Sequence, residues 1–174
     1  RVVETPRVMT DRSQRGLMVM VALLYLGEGL PAGIFRDLVD VWLLQARGVE
    51  LSTLSLFSLL AIPWSLKALW SPLVDRLGTA ARWISLALLG VACASALVPH
   101  LDLGPALWIC LGCLTLCSAT ADVAIDGYTT AVVPDPLQGR VNGVRVAAYR
   151  VAKLLAGAGA IALHQVLPWS AVFA

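Results

Sequence analysis

Five long apolar runs separated by short polar turns dominate this chain, and they leave it few ways to fold. About 20 apolar residues make a helix long enough to cross a hydrocarbon layer of about 30 Å. In that layer every backbone N–H and C=O has to be satisfied within the structure, which a helix does segment by segment. The runs cover residues 17–44, 52–70, 83–98, 105–131 and 140–163. Hydrophobic residues make up 59% of the 174-residue sequence and charged ones 14%, against roughly 45–50% apolar content in a soluble domain. The expectation is an all-α polytopic membrane protein, with residues 1–15 as a polar cytoplasmic tail and 16–174 as one transmembrane bundle. A sixth span begins at Trp169 and is not finished by residue 174, so the sequence reads as a fragment: five complete spans plus the start of a sixth.

Charge distribution narrows the function. The net charge of +2 and basic residues gathered at segment ends exclude a nucleic-acid groove. Arg1, Arg7, Arg12 and Arg15 precede the first run as in a signal peptide, but the run continues without a small-x-small cleavage site, so it reads as a retained span. Arginines in the tail, Arg76 and Arg82 in the second-to-third turn, and Arg140 in the fourth-to-fifth turn outnumber Arg47 in the others, which puts the N-terminus on the cytoplasmic side. Trp42, Trp70, Trp83, Trp108 and Trp169 fall near span ends, as an interfacial aromatic belt would place them. Cys93, Cys110, Cys113 and Cys117 all lie in apolar runs. Cys110-x-x-Cys113 has redox or metal spacing but lacks a His or second Cys pair at ligand spacing, so neither metal nor cofactor is expected.

The informative residues are the charges inside the apolar runs. Glu28 lies about 16 Å into the first run at helical rise, near the midplane. Gly27, Gly29, Pro31 and Gly33 around it are expected to weaken the helix where a carboxylate needs water or a partner. Arg36 and Asp40 are spaced to pair at i, i+4. Asp122 and Asp126 share one face of the fourth run, while Arg145, Tyr149 and Lys153, with Arg150 beside them, form a basic stripe on the fifth. Lys67, near the end of the second run, either snorkels to the interface or faces the cavity. Charges in such segments are costly unless paired or wetted and mark a solute or proton pathway by default; the alternative is a static ion-pair lock, and both stay open on sequence alone. Other features are structural: Ser52 as an N-cap, a kink at Pro63, a polar turn over 72–82, and the four-residue repeat Ala148, Ala152, Ala156, Ala160, with Gly157 and Gly159, as a close-packing seam.

The turn Asp75-Arg76-x-Gly78, with Arg82 after it, resembles the signature gating loop of the major facilitator superfamily. Its context, Lys67-x-x-Trp70-Ser71-Pro72-Leu73-x-Asp75-Arg76, then Cys117-Ser118-Ala119 with Asp122-x-x-x-Asp126, then Tyr149-Arg150, is similar to AmpG-type muropeptide permeases and acetyl-CoA transporters over roughly residues 27–165. Ala121 stands where that family tends to have Gln, and Glu28 where it tends to be uncharged. The resemblance implies a twelve-helix transporter of two six-helix halves in a bacterial inner membrane, of which this would be the N-terminal half. It implies a proton-coupled permease that moves an anionic sugar-peptide or acyl-nucleotide solute by alternating access, with protons, the bilayer and a C-terminal half as partners. An enzyme is not expected: His100 and His164 sit in outer turns, and no His-Glu-x-x-His or Gly-x-Ser-x-Gly is present. The other reading is a non-transporting sensor or assembly factor on a transporter scaffold.

Overall fold

The computed structural model describes residues 10–173; the first nine residues of the expected tail lie outside them. Five helices are long and apolar enough to cross a membrane: α1 (Asp11–Arg47), α2 (Leu51–Leu69), α4 (Ala80–His100), α5 (Pro105–Val132) and α6 (Asp135–His164). Two short helices complete the chain, α3 (Ser71–Arg76) between α2 and α4, and α7 (Trp169–Val172) after α6. No strand occurs among the described residues.

Helix α1 starts inside the stretch read as tail. Thr10 caps it, its hydroxyl accepting from the Ser13 N–H, and Asp11 pairs with Arg15 at 2.9 Å. The glycines around Glu28 do not open this helix, which runs unbroken in α form from Asp11 to Gly33. They serve close approach instead. A Cβ on Gly29 would lie 2.5 Å from the Tyr149 carbonyl and 2.8 Å from the Ala152 Cβ, and one on Gly33 would lie 2.6 Å from the Lys153 carbonyl. The expected seam on α6 is the other half of this contact: Ala148, Ala152, Ala156 and Ala160 are all buried.

Beyond Gly33 the winding loosens to a π-turn over Ile34–Leu38, and α6 carries a second over Leu155–Gly159; the two π-turns pack against each other. This overturns the expected Arg36–Asp40 pair. An i→i+5 turn adds a residue to the register, so positions four apart no longer share a face. The Arg36 guanidinium instead stands 5.5 Å from the Trp64 ring on α2.

Helix α2 changes to 3₁₀ winding over Ser58–Ala61, just before Pro63, where the missing proline N–H was expected to disturb it. Its N-cap is Glu50 rather than Ser52, whose hydroxyl bonds the Glu50 carboxylate. The expected polar turn over 72–82 is largely helical: α3 fills its first half, and Gly78, at φ +82°, makes the reversal before α4.

Helix α1 packs along α6, α4 along α5, and α5 also receives α1 and α2. One apolar core joins Phe35, Leu38, Trp42 and Leu43 of α1 to Leu107, Leu111 and Leu114 of α5; another joins Val21 and Tyr25 to Ile125 and Val141. Along α1 Glu28 falls between these cores, while along α5 Asp122 and Asp126 lie level with the second. Trp42 belongs to the first core, only 1% exposed and edge-on to Phe173, so it is not part of an interfacial belt. At one end Arg47 ties α1 to the α4–α5 connection, bonding the Pro99 and Leu101 carbonyls and pairing with Asp102.

Candidate functional site

The 3.6-residue period of α5 sets Asp122 and Asp126 one turn apart on the face toward α1, α2 and α6. From α6, Arg145 places Nη2 2.6 Å from Asp126 Oδ1. From α1, the Tyr25 hydroxyl donates to the same oxygen at 2.6 Å. The Arg145 guanidinium also lies 4.6 Å from the Tyr25 ring centroid, a cation–π contact. Lys67 of α2 does not snorkel. Its Nζ stands between the carboxylates, 3.7 Å from Asp122 Oδ2 and 3.6 Å from Asp126 Oδ2. The acidic face and basic stripe therefore meet, through Arg145 alone among the basic residues of α6.

Glu28 lies beside this cluster. With Tyr25, Asn142, Arg145, Val146, Tyr149 and Arg150 it lines a cavity of about 280 Å³ between α1 and α6. Its Oε2 is buried without a hydrogen-bond partner among the described residues, as is Asp122 Oδ1, and no cation of those residues lies within ion-pair distance of Glu28, in contrast to Asp122 and Asp126. The balance of charge is plain. Asp122 and Asp126 hold Lys67 and Arg145, and Arg150 borders the cavity without an ion pair among the described residues, so the closed pairs leave Glu28 unmatched.

The other expected site residues stand apart. Lys153 does not reach the acidic pair and lies 3.9 Å from Asp37, which stands in the π-turn of α1. Asp37 fits there because Gly157 has no side chain: a Cβ at that position would come within 2.8 Å of the Asp37 carboxylate. Arg150 makes no ion pair among the described residues and borders the Glu28 cavity. Asp75, Arg76, Gly78 and Arg82 lie at the α3–α4 reversal. Asp75 comes close to α5 at Gly127, where an added Cβ would stand 3.5 Å from its carboxylate oxygen, next in sequence to Asp126.

Sequence reasoning missed Tyr25, Asn142 and Asp37. Tyr25 had a signal: it stands three residues before Glu28, on the same helical face, and a buried tyrosine hydroxyl needs a partner. Asn142 stands likewise three before Arg145. Nothing in the local pattern marks Asp37, because its partner depends on the two π-turns. The four cysteines are free thiols; Cys110 donates to the Ala94 carbonyl, and Cys117 packs where a side chain on Gly90 would sit. No group of metal-ligating side chains occurs among the described residues.

Fold and site together define an integral membrane protein, a bundle of spanning helices with an ion-paired cluster where four of them meet. Comparison with known proteins makes the class more particular. A family model described as acetyl-coenzyme A transporter 1 matches residues 17–84. The chain is 27% identical over 169 residues to the anhydromuropeptide permease of Escherichia coli, covering 92% of this chain and 34% of that protein. It is 28% identical over 158 residues to putative transporter AmpG 4 of Rickettsia felis, covering 84% and 38%. An uncharacterized protein of Haemophilus influenzae is 29% identical over 165 residues, covering 90% and 38%. The chain thus spans a little over a third of the length of these relatives. Over most of its length the chain is similar to AmpG-type transporters.

Proposed function

We propose that the protein is a proton-coupled permease of the major facilitator type, which moves an anionic small solute by alternating access, and that Glu28 carries the coupled proton. The observation that carries this reading is the charge imbalance at the α1–α2–α5–α6 junction. Three carboxylates share two cations, and the one without a cation is Glu28. One proton on Glu28 balances the cluster. The groups that face it are Tyr25 on its own helix, Lys67 from α2, Asp122 and Asp126 from α5, and Arg145, Tyr149 and Arg150 from α6.

In this scheme Asp126 holds Arg145 and Lys67 while Glu28 is protonated. Loss of that proton gives Lys67 and Arg145 a competing carboxylate, and an arriving solute anion gives them a competing ligand. Either event loosens the contact that holds α6 against α5 through Asp126. Rocking of helices about a midplane site then has a reason to follow proton and solute together. The names of the relatives point to acetyl-coenzyme A and anhydromuropeptides as solute classes, both anionic. A bacterial inner membrane, a cytoplasmic N-terminus and a further helical half completing the cavity belong to the same reading, as does the absence of covalent chemistry in a permease.

The test is uptake of labelled anhydromuropeptide and labelled acetyl-coenzyme A into inverted and right-side-out vesicles, with and without an imposed pH gradient. Wild-type uptake of one of them should follow the gradient. Glu28→Gln, a permanently neutral isostere, should abolish gradient-driven accumulation while leaving solute–solute exchange. Full accumulation by Glu28→Gln removes Glu28 from the coupling role.

A further inference from the structure

We propose that the cleft between the two π-turns is a separate compartment that receives the solute, with an oxyanion site on Arg150 and Arg36. This rests on the permease reading and assigns its solute site away from the Glu28–Asp126 cluster.

The cleft has a volume of about 680 Å³, within the roughly 300–1,000 Å³ of small-molecule sites. Its α1 wall carries Arg36, Asp37 and Asp40, and its α6 wall Arg150 and Lys153, with Val41, Leu154, Ala158 and Ile161 as apolar lining.

Three cations thus face two carboxylates, and only one couple is closed: Lys153 to Asp37, at 3.9 Å, near the limit of an ion pair. Gly157 lets the Asp37 carboxylate settle against the α6 backbone, so that it stays with Lys153. Among the described residues neither Arg36, which stands over the Trp64 ring, nor Arg150 makes an ion pair. Two guanidinium forks left open on a cavity suit a carboxylate or phosphate, which each can hold with paired N–H donors.

Asp40, also in the α1 wall, sets the polarity. The oxyanion belongs on the α6 side at Arg150, with hydroxyl or amide donors of the solute turned to Asp40. Arg150 also borders the smaller cavity. An anion drawn to Arg150 therefore sits where its charge reaches the Glu28 compartment, which gives solute binding a route to the proton site without sharing ligands.

The facing π-turns are what build this compartment. Arg36 and Asp37 lie in the α1 π-turn, and Arg150 and Lys153 come from the α-helical turn just before the π-turn of α6.

The test is equilibrium binding by calorimetry to the purified full-length protein in nanodiscs, with no ion gradient. The probes are acetyl-coenzyme A, N-acetylmuramic acid as a carboxylate sugar, and neutral N-acetylglucosamine. Wild type should bind at least one anionic probe and bind the neutral sugar far more weakly. Arg150→Gln and Arg36→Gln should each weaken the anion at least about tenfold, the scale of a lost charge-assisted hydrogen bond. Arg150→Lys should retain part of the affinity, and Arg140→Gln, which removes an exposed arginine elsewhere, should bind as wild type. Both side chains are exposed, so folding of the variants is checked by unchanged melting temperature. Wild-type affinity in the two Gln variants, equal binding of the neutral sugar, or no anion binding by the wild type overturns the proposal. Because no gradient is present, this result is independent of the Glu28→Gln flux experiment, and either can fail alone.

Discussion

Asp126 is the most heavily engaged carboxylate of the cluster, with Arg145 and Tyr25 on one oxygen and Lys67 near the other. Removing its charge deprives Arg145 of its ion-pair partner on α5 and leaves Lys67 with Asp122. Asp126→Asn should therefore reduce solute uptake at least tenfold, the scale of a lost charge-assisted contact, while the protein still reaches the membrane; uptake and membrane abundance measured together check it. Tyr25 acts through Asp126. Its hydroxyl keeps one hydrogen bond on the carboxylate when Arg145 leaves, so Tyr25→Phe should shift the pH profile of uptake without lowering membrane abundance, whereas a merely structural tyrosine would lower abundance and leave the profile in place. Most of these residues were legible in the sequence because a carboxylate or lysine in an apolar run stands out by itself. Tyr25 was not, because a tyrosine in such a run is ordinary until its hydroxyl is traced. Arg36 and Asp40 misled for a related reason: spacing decides a pair only while the winding stays α.

At the scale of elements, the contact of α1 with α6 sets Glu28 and Asp37 opposite Arg145, Arg150 and Lys153, and it depends on glycine. Even an alanine at Gly29 brings its Cβ to 2.5 Å from a backbone carbonyl that cannot rotate away. Gly29→Ala is expected to destabilise the bundle by about 1–3 kcal/mol, the usual cost of overpacking, read as a lower midpoint in thermal or denaturant unfolding in detergent. An unchanged midpoint would mean that α1 and α6 are less closely packed than described. The spans themselves were legible from hydropathy, and the alanine seam from its period. The glycines were visible but their purpose was not, because the partner that needs the space is more than a hundred residues away in the chain. The π-turns left no mark in hydropathy, since one added residue per turn hardly alters a window average. Helix α3 was hidden because its polar signature matched that of a turn.

For the whole molecule, the fold places the turn after α1 beside the α4–α5 connection, tied by Arg47 to Asp102, while Gly78 makes its reversal at the far ends of α2 and α4. The proposed cytoplasmic N-terminus predicts that Glu50→Cys in a cysteine-free background reacts with a membrane-impermeant maleimide in intact cells and Thr79→Cys only after permeabilisation. The opposite pattern inverts the orientation. The central claim is that the unmatched carboxylate of the α1–α2–α5–α6 junction takes up a proton that moves with the solute. Its most direct test is solute-driven proton flux in proteoliposomes, followed with a pH-sensitive dye. Adding solute to wild type should move protons in the same direction as solute, and Glu28→Gln should move solute by exchange with no proton signal. A full proton signal from Glu28→Gln, or none from a wild type that accumulates solute, would contradict the account.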